Sequence, residues 1–202
     1  MTTVALVDYG AGNLRSVEKA LQAVGAEVCL TSAADVILAA EKAVLPGVGA
    51  FGDGMAGLQE RGLVEVIQKT VRNGKPWLGI CVGMQLLFDG SEEMGNHAGL
   101  GLLPGRVMRF PDGGLKIPQT GWNQLMFSPS PLLTGIEPGC YAYFNHSFYC
   151  QPTDAGDILA STEYGLVYAS VVGRGRLYGM QFHPEKSQAV GLQLLRNFLE
   201  HG

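Results

Sequence analysis

The chain has 202 residues, 47% of them apolar, and a formal net charge of −4. This length and composition allow one sizeable core without disulfides and predict a single domain spanning residues 1–202. The acidic balance argues against a nucleic-acid surface, and no apolar run approaches the length of a membrane span.

Met1–Thr2–Thr3–Val4 lacks the basic start and long apolar core of a secretory signal, which predicts a cytoplasmic protein. Val4–Val7 is a short apolar run that reads as a strand and ends in Asp8–Tyr9–Gly10–Ala11–Gly12. Leu14, Val17, Ala20, Leu21 and Val24 then share one helical face, with Asn13 as the expected N-cap and Gly25 as the expected C-cap. Glu27–Leu30 and Lys42–Leu45 read as further strands, the second stopped by Pro46–Gly47–Val48–Gly49. Leu63, Val66, Ile67 and Val71 mark a helix ending near Asn73–Gly74. Pro76 opens a strand, Trp77–Ile80, that runs into Cys81, and Met84–Phe88 reads as the start of a helix. The second half differs: residues 99–121 are rich in glycine and proline around a strand-like Arg106–Phe110. Tyr141–Phe144, Leu166–Val172 and Leu177–Phe182 are strand-like, and Val190, Leu194, Leu195, Phe198 and Leu199 mark a terminal helix. The expected fold is α/β: an open, mostly parallel central sheet flanked by helices, with an antiparallel extension in the C-terminal half.

Ligands of such sheets bind at the carboxyl ends of the strands. The loops 8–12 and 46–49 and the turn at Cys81 should therefore share one edge. Gly10 and Gly12 make no dinucleotide fingerprint, because Arg15 stands at the third glycine position. Cys81 sits where a strand bends into a helix between Gly79 and Gly83, a place that favours a thiolate. A buried core cysteine fits the same residues. Two glycines in Pro46–Gly49 free backbone N–H groups to face an oxyanion beside Cys81; a plain turn has the same composition. A thiol nucleophile needs a base, and His97, His146, His183 and His201 are the candidates. His183 follows a strand end, and Glu185 is close enough to orient it. Cys140, His146 and Cys150 lack the spacing of a zinc site, so no metal and no cofactor is expected.

Gly79–Ile80–Cys81–Val82–Gly83–Met84–Gln85 and Gln181–Phe182–His183–Pro184–Glu185–Lys186–Ser187 together resemble the class I (triad) glutamine amidotransferases. Asp8–Asn13, Pro46–Gly49 and Gly121–Trp122–Asn123 narrow the resemblance to the branch of glutaminase subunits of imidazole glycerol phosphate synthase, over nearly the whole chain. The resemblance implies Cys81 as nucleophile, His183 as general base and acid, and Glu185 as its orienting partner. It implies an oxyanion hole from the backbone N–H groups of Val48 and Val82. It implies a glutamine head-group site at Gln85, Gly49, Ser147 and Phe148. Asn13, Trp122, Tyr143 and Lys186 would face a (β/α)₈-barrel cyclase subunit in a heterodimer, which uses the ammonia to convert PRFAR to imidazole glycerol phosphate and AICAR in histidine biosynthesis. Gln119–Thr120 and Asn145 depart from the branch's usual residues.

Overall fold

The computed structural model describes all residues from Met1 to Gly202. The N-terminal half alternates strands and helices: β1 (Thr3–Val7), α1 (Leu14–Ala23), β2 (Glu27–Thr31), α2 (Ala34–Ala39), β3 (Lys42–Leu45), α3 (Phe51–Glu60), α4 (Leu63–Arg72) and β4 (Trp77–Ile80). A single helical turn, α5 (Val82–Gln85), follows Cys81. The C-terminal half adds β5 (Phe88–Ser91), β6 (His97–Ala98), β7 (Leu103–Arg109), β8 (Gln119–Gln124), β9 (Met126–Phe127), β10 (Tyr141–His146), β11 (Phe148–Pro152), β12 (Ile158–Glu163), β13 (Val167–Arg174), β14 (Leu177–Met180) and α6 (Gln188–His201).

The main sheet runs β2-β1-β3-β4-β14-β13-β11-β7-β5-β6, with β12 on β13 and β9 on β12. Its first five strands are all parallel. From β14 onward the pairings to β13, β11 and β7 are antiparallel, which is the predicted extension. Strands β8 and β10 form a separate antiparallel ribbon. Helices cover the inner parallel strands, so β1, β3 and β4 are apolar runs rather than alternating ones, while β2 at the edge is largely exposed. Val4–Val7 of β1, Ala43–Leu45 of β3 and Trp77 and Leu78 of β4 are wholly buried. Each such large side chain contributes roughly 1.5–3 kcal/mol on burial. Val17, Ala20 and Leu21 of α1 and Leu194, Leu195 and Phe198 of α6 close the core over the sheet.

Because β1, β3, β4 and β14 are parallel neighbours, their carboxyl ends meet at one edge. That edge gathers residues 8–12, 46–49, Cys81 and Gln181–His183, as the strand reading requires. Two details differ from expectation. The segment Met84–Phe88 is not a continuing helix: α5 stops at Gln85, and Phe88 pairs with Leu103 as the start of β5. Asn13 does precede α1, but its side chain makes no capping bond; its amide is spent on Glu185 instead.

Candidate active site

Strand β4 delivers Cys81 to the edge in an unusual backbone conformation, φ 55° and ψ −114°. A non-glycine residue held at positive φ costs about 1–3 kcal/mol and persists only where its surroundings enforce it. Here glycine does so by close approach. A Cβ on Gly83 would run into the Leu45 carbonyl, and one on Gly47 would stand 2.6 Å from the Gly83 nitrogen and 2.7 Å from the Tyr9 hydroxyl. The loop after β3 is thereby pressed against the turn after β4. Tyr9 secures it further, donating its hydroxyl proton to the Pro46 carbonyl at 2.8 Å. Burial, and then the charge on Cys81, push the Tyr9 phenol up, so it stays a neutral donor. With α5 only one turn long, little helix dipole acts on the thiol. Its polarisation comes from specific neighbours.

The first of these is His183. It lines one cavity with Cys81, and its Nδ1 lies 2.9 Å from Glu185 Oε1, with both side chains almost fully buried. Burial pulls the imidazole pKa down, but the hydrogen bonds to Cys81 and Glu185 and their charges outweigh it and raise it from 6.5 to about 9. Burial pushes the Glu185 carboxyl up, and the hydrogen bond and charge of His183 reverse this and hold it below its ordinary value. Asn13 Nδ2 donates to the same Oε1 at 3.3 Å, leaving Oε2 buried without a partner. The second neighbour is Gln181, whose Nε2 lies 3.8 Å from Cys81 Sγ. Gln85 in turn donates from Nε2 to Gln181 Oε1 at 3.1 Å and to the Phe148 carbonyl at 3.2 Å.

Cys81 and His183 open into a cavity of about 260 Å³. Val48, Gly49, Val82, Gln85, Ser147 and Phe148 line it, so the whole predicted glutamine and oxyanion set faces one space. Val82 opens α5, where N–H groups have no intrahelical acceptor and are free for an anion. Of the expected partner-facing residues, Trp122 and Tyr143 are cross-strand neighbours on the β8–β10 ribbon, rings edge to face at 6.1 Å. Lys186 Nζ lies over the Tyr143 ring at 5.6 Å and reaches the cavity wall. Asn13 stands apart, on the far side of Glu185.

The other histidines stand off the thiol. His146 Nδ1 bonds the Phe148 carbonyl at 2.7 Å, His97 packs under Gly52, and His201 is exposed in the last helical turn. No group of His, Cys, Asp and Glu side chains is arranged to hold a metal ion. One cavity residue, Glu93, and one neighbour of the thiol, Gln181, have no role that sequence reasoning assigns. Glu93 sits in a polar turn that reads as solvated surface, yet it lines the cavity and its Oε2 accepts the Phe51 N–H at 2.7 Å. Gln181 lies in the motif that carries His183, but only the fold sets it against Cys81.

A buried thiol, an imidazole and a carboxylate aligned beside free backbone N–H groups on an α/β sheet define an acyl-transferring amidohydrolase of the triad type. The chain belongs to the class-I glutamine amidotransferase family, whose description matches residues 5–201. Within that family it is 49% identical over 98% of both chains to a protein of Geobacter metallireducens named imidazole glycerol phosphate synthase subunit HisH. A protein of Moorella thermoacetica with the same name is 51% identical over 99% of this chain and 95% of its own. Among solved structures, PurLQS from Thermotoga maritima superposes with a TM-score of 0.77 at 21% identity, over 99% of this chain and 98% of that one, a likeness of fold.

The charge pattern sets a pH window. His183 has its folded pKa raised, so its contribution to stability is complete below 6.5 and fades as pH rises through about 9. Glu185 has its folded pKa lowered, so its contribution is present above 4.5 and is lost as pH falls through the folded value. The wild-type unfolding midpoint should therefore drop between pH 6.5 and 9 by more than that of His183→Gln. Parallel curves for the two proteins would contradict the ion pair.

Proposed function

We propose that this chain is the glutaminase subunit of imidazole glycerol phosphate synthase, hydrolysing glutamine and passing ammonia to a cyclase subunit. The observation that carries the reading is the Cys81–His183–Glu185 alignment at one end of an amino-acid-sized cavity. Gln85 and the backbone of Gly49, Ser147 and Phe148 hold the glutamine head group, and Glu93 offers a carboxylate for its ammonium. The Cys81 thiolate attacks the side-chain carboxamide carbon, forming a C–S bond. The negative oxygen that results is held by the N–H groups of Val48 and Val82. His183 gives its proton to the nitrogen, the C–N bond breaks, and ammonia leaves. His183 then takes a proton from water; the hydroxide attacks the thioester, the C–S bond breaks, and glutamate departs with the thiolate restored.

Ammonia released into water is largely protonated and loses its nucleophilicity, so direct transfer to a partner makes chemical sense. The partner is a (β/α)₈-barrel cyclase that turns PRFAR into imidazole glycerol phosphate and AICAR, seated in a cytoplasmic heterodimer against Asn13, Trp122, Tyr143 and Lys186. No helix of the chain is long and apolar enough to cross a membrane. The loop 46–49 is the switch between resting and active states. Its first half is pinned by Tyr9 and by Gly47 packing on Gly83. Its second half is free: Val48 is 42% exposed, and Gly49, at φ 93°, has no neighbour crowding it. The Gly47–Val48 peptide, whose N–H belongs to Val48, lies where the pinned half meets the free one and is the part that turns toward the oxyanion. Glutamate release should be slow for the free chain and rise at least about tenfold when cyclase and its ligand are added. Equal rates would remove the switch, and no glutamate in either case would remove the glutaminase assignment.

A further inference from the structure

Beside the triad lies a buried polar array that the reaction scheme leaves unused. His146, the last residue of β10, is 6% exposed. Its Nδ1 stands 2.7 Å from the Phe148 carbonyl oxygen. A carbonyl only accepts, so Nδ1 carries the proton. The rings of Phe110, Phe144 and Tyr168 box the imidazole, with centroids at 5.4, 5.6 and 5.5 Å. Burial there pulls its pKa down to about 4, with the His183 charge adding and the Phe148 carbonyl opposing. The neutral ring presents Nε2 as an acceptor. The Tyr168 hydroxyl faces this Nε2 at 3.4 Å and the Gln119 side-chain amide at 2.9 Å.

A tyrosine has one proton to give. With Gln119 Oε1 turned toward it, both neighbours are acceptors, and Gln119 Nε2 is buried without a partner. Exchanging the amide oxygen and nitrogen, which occupy nearly the same shape, resolves both problems. Gln119 then donates to the Tyr168 oxygen, Tyr168 to His146 Nε2, and His146 Nδ1 to the Phe148 carbonyl. The cost is an unpartnered carbonyl in place of an unpartnered N–H, the more tolerable of the two. The array runs on to the thiol, because the Phe148 carbonyl also accepts from Gln85, Gln85 donates to Gln181, and Gln181 faces Cys81.

We propose that His146, held in its Nδ1–H tautomer by the Phe148 carbonyl and oriented by Tyr168 and Gln119, is a positioning residue that fixes the Phe148 carbonyl and Gln85 where the glutamine head group docks. The proposal rests on the glutaminase reading above. It touches no reacting atom, so it acts on substrate alignment and shows in KM more than in kcat.

The test uses the complex with the cyclase and compares His146→Leu, His146→Asn and Tyr168→Phe. His146→Leu should raise KM for glutamine about tenfold while changing kcat less than about threefold. His146→Asn sets an amide donor where Nδ1 stands and should bring KM back to within about threefold of wild type. A residue that only fills the aromatic box would accept leucine better than asparagine. Nitrogen-15 spectra of the histidine-labelled chain should show His146 neutral and protonated at Nδ1. The proposal is overturned if leucine and asparagine raise KM equally, if leucine leaves KM unchanged, or if wild-type His146 is protonated at Nε2. Should His146→Leu fail to fold, Tyr168→Phe carries the test: a raised KM supports the array, and an unchanged KM overturns it. A wild type that hydrolyses no glutamine would instead sink the glutaminase reading, and the tautomer spectra would still decide the array.

Discussion

Cys81→Ala is expected to cut glutamine-dependent synthesis by the assembled complex by roughly 10⁴-fold or more, while ammonia-dependent synthesis stays near wild type. The thiol is the nucleophile that shares the cavity with His183, and the His183–Glu185 pair has no thiol to serve without it. Removing one sulfur from a buried site changes little else: Gln181 loses a long contact of 3.8 Å, and the backbone at Cys81 is held by its N–H bond to the Met180 carbonyl at 2.7 Å. Alanine can also occupy the turn, although positive φ will cost it as it costs cysteine. The assay that separates the outcomes runs both nitrogen sources on one preparation of complex. Loss of glutamine use alone is the predicted result. Loss of both would contradict the division of labour between the two subunits.

Gly83→Ala should be nearly as damaging without touching any reacting group. The added methyl would meet the Leu45 carbonyl, a backbone atom of a wholly buried strand that has nowhere to move. Either β3 shifts, carrying the loop 46–49 with it, or α5 shifts and takes Cys81 and Val82 away from His183. We expect destabilisation of at least about 3 kcal/mol, in the range seen for core overpacking and backbone strain, and glutaminase activity below about 1% of wild type. Denaturant unfolding and glutamate release measured on the same variant check both numbers. A stable, active Gly83→Ala would show that the two turns are not in contact, and the link between loop 46–49 and the thiol would fall with it.

The inner parallel strands β1, β3 and β4 were legible because they are buried on both faces. Runs such as Val4–Val7 and Trp77–Ile80 have no polar position to blur them. Helix α4 was legible for the complementary reason, a clear apolar stripe. Helix α3 was not. Gly52, Gly54 and Gly57 make its sequence resemble a loop, yet Gly57 has no room for a side chain against the Tyr9 carbonyl and ring. Close packing of the helix on the site, rather than helix propensity, places those glycines, and a single sequence does not carry that contact. The same holds for β5. Leu86–Phe88 looks like more helix until Phe88 pairs with Leu103, fifteen residues ahead. At the site, the His183–Glu185 pair lies within one short 3₁₀ turn and could be read locally. Glu93, Gln181 and the His146 array depend on strands that meet only after folding.

Rapid acid quench of the complex mixing with glutamine, followed by mass measurement of the peptide that carries Cys81, tests the central claim most directly. A transient γ-glutamyl adduct on Cys81, absent from Cys81→Ala, is the predicted result. Glutamate formed at full rate with no adduct on Cys81 at any time point, and with Cys81→Ala still active, would contradict it.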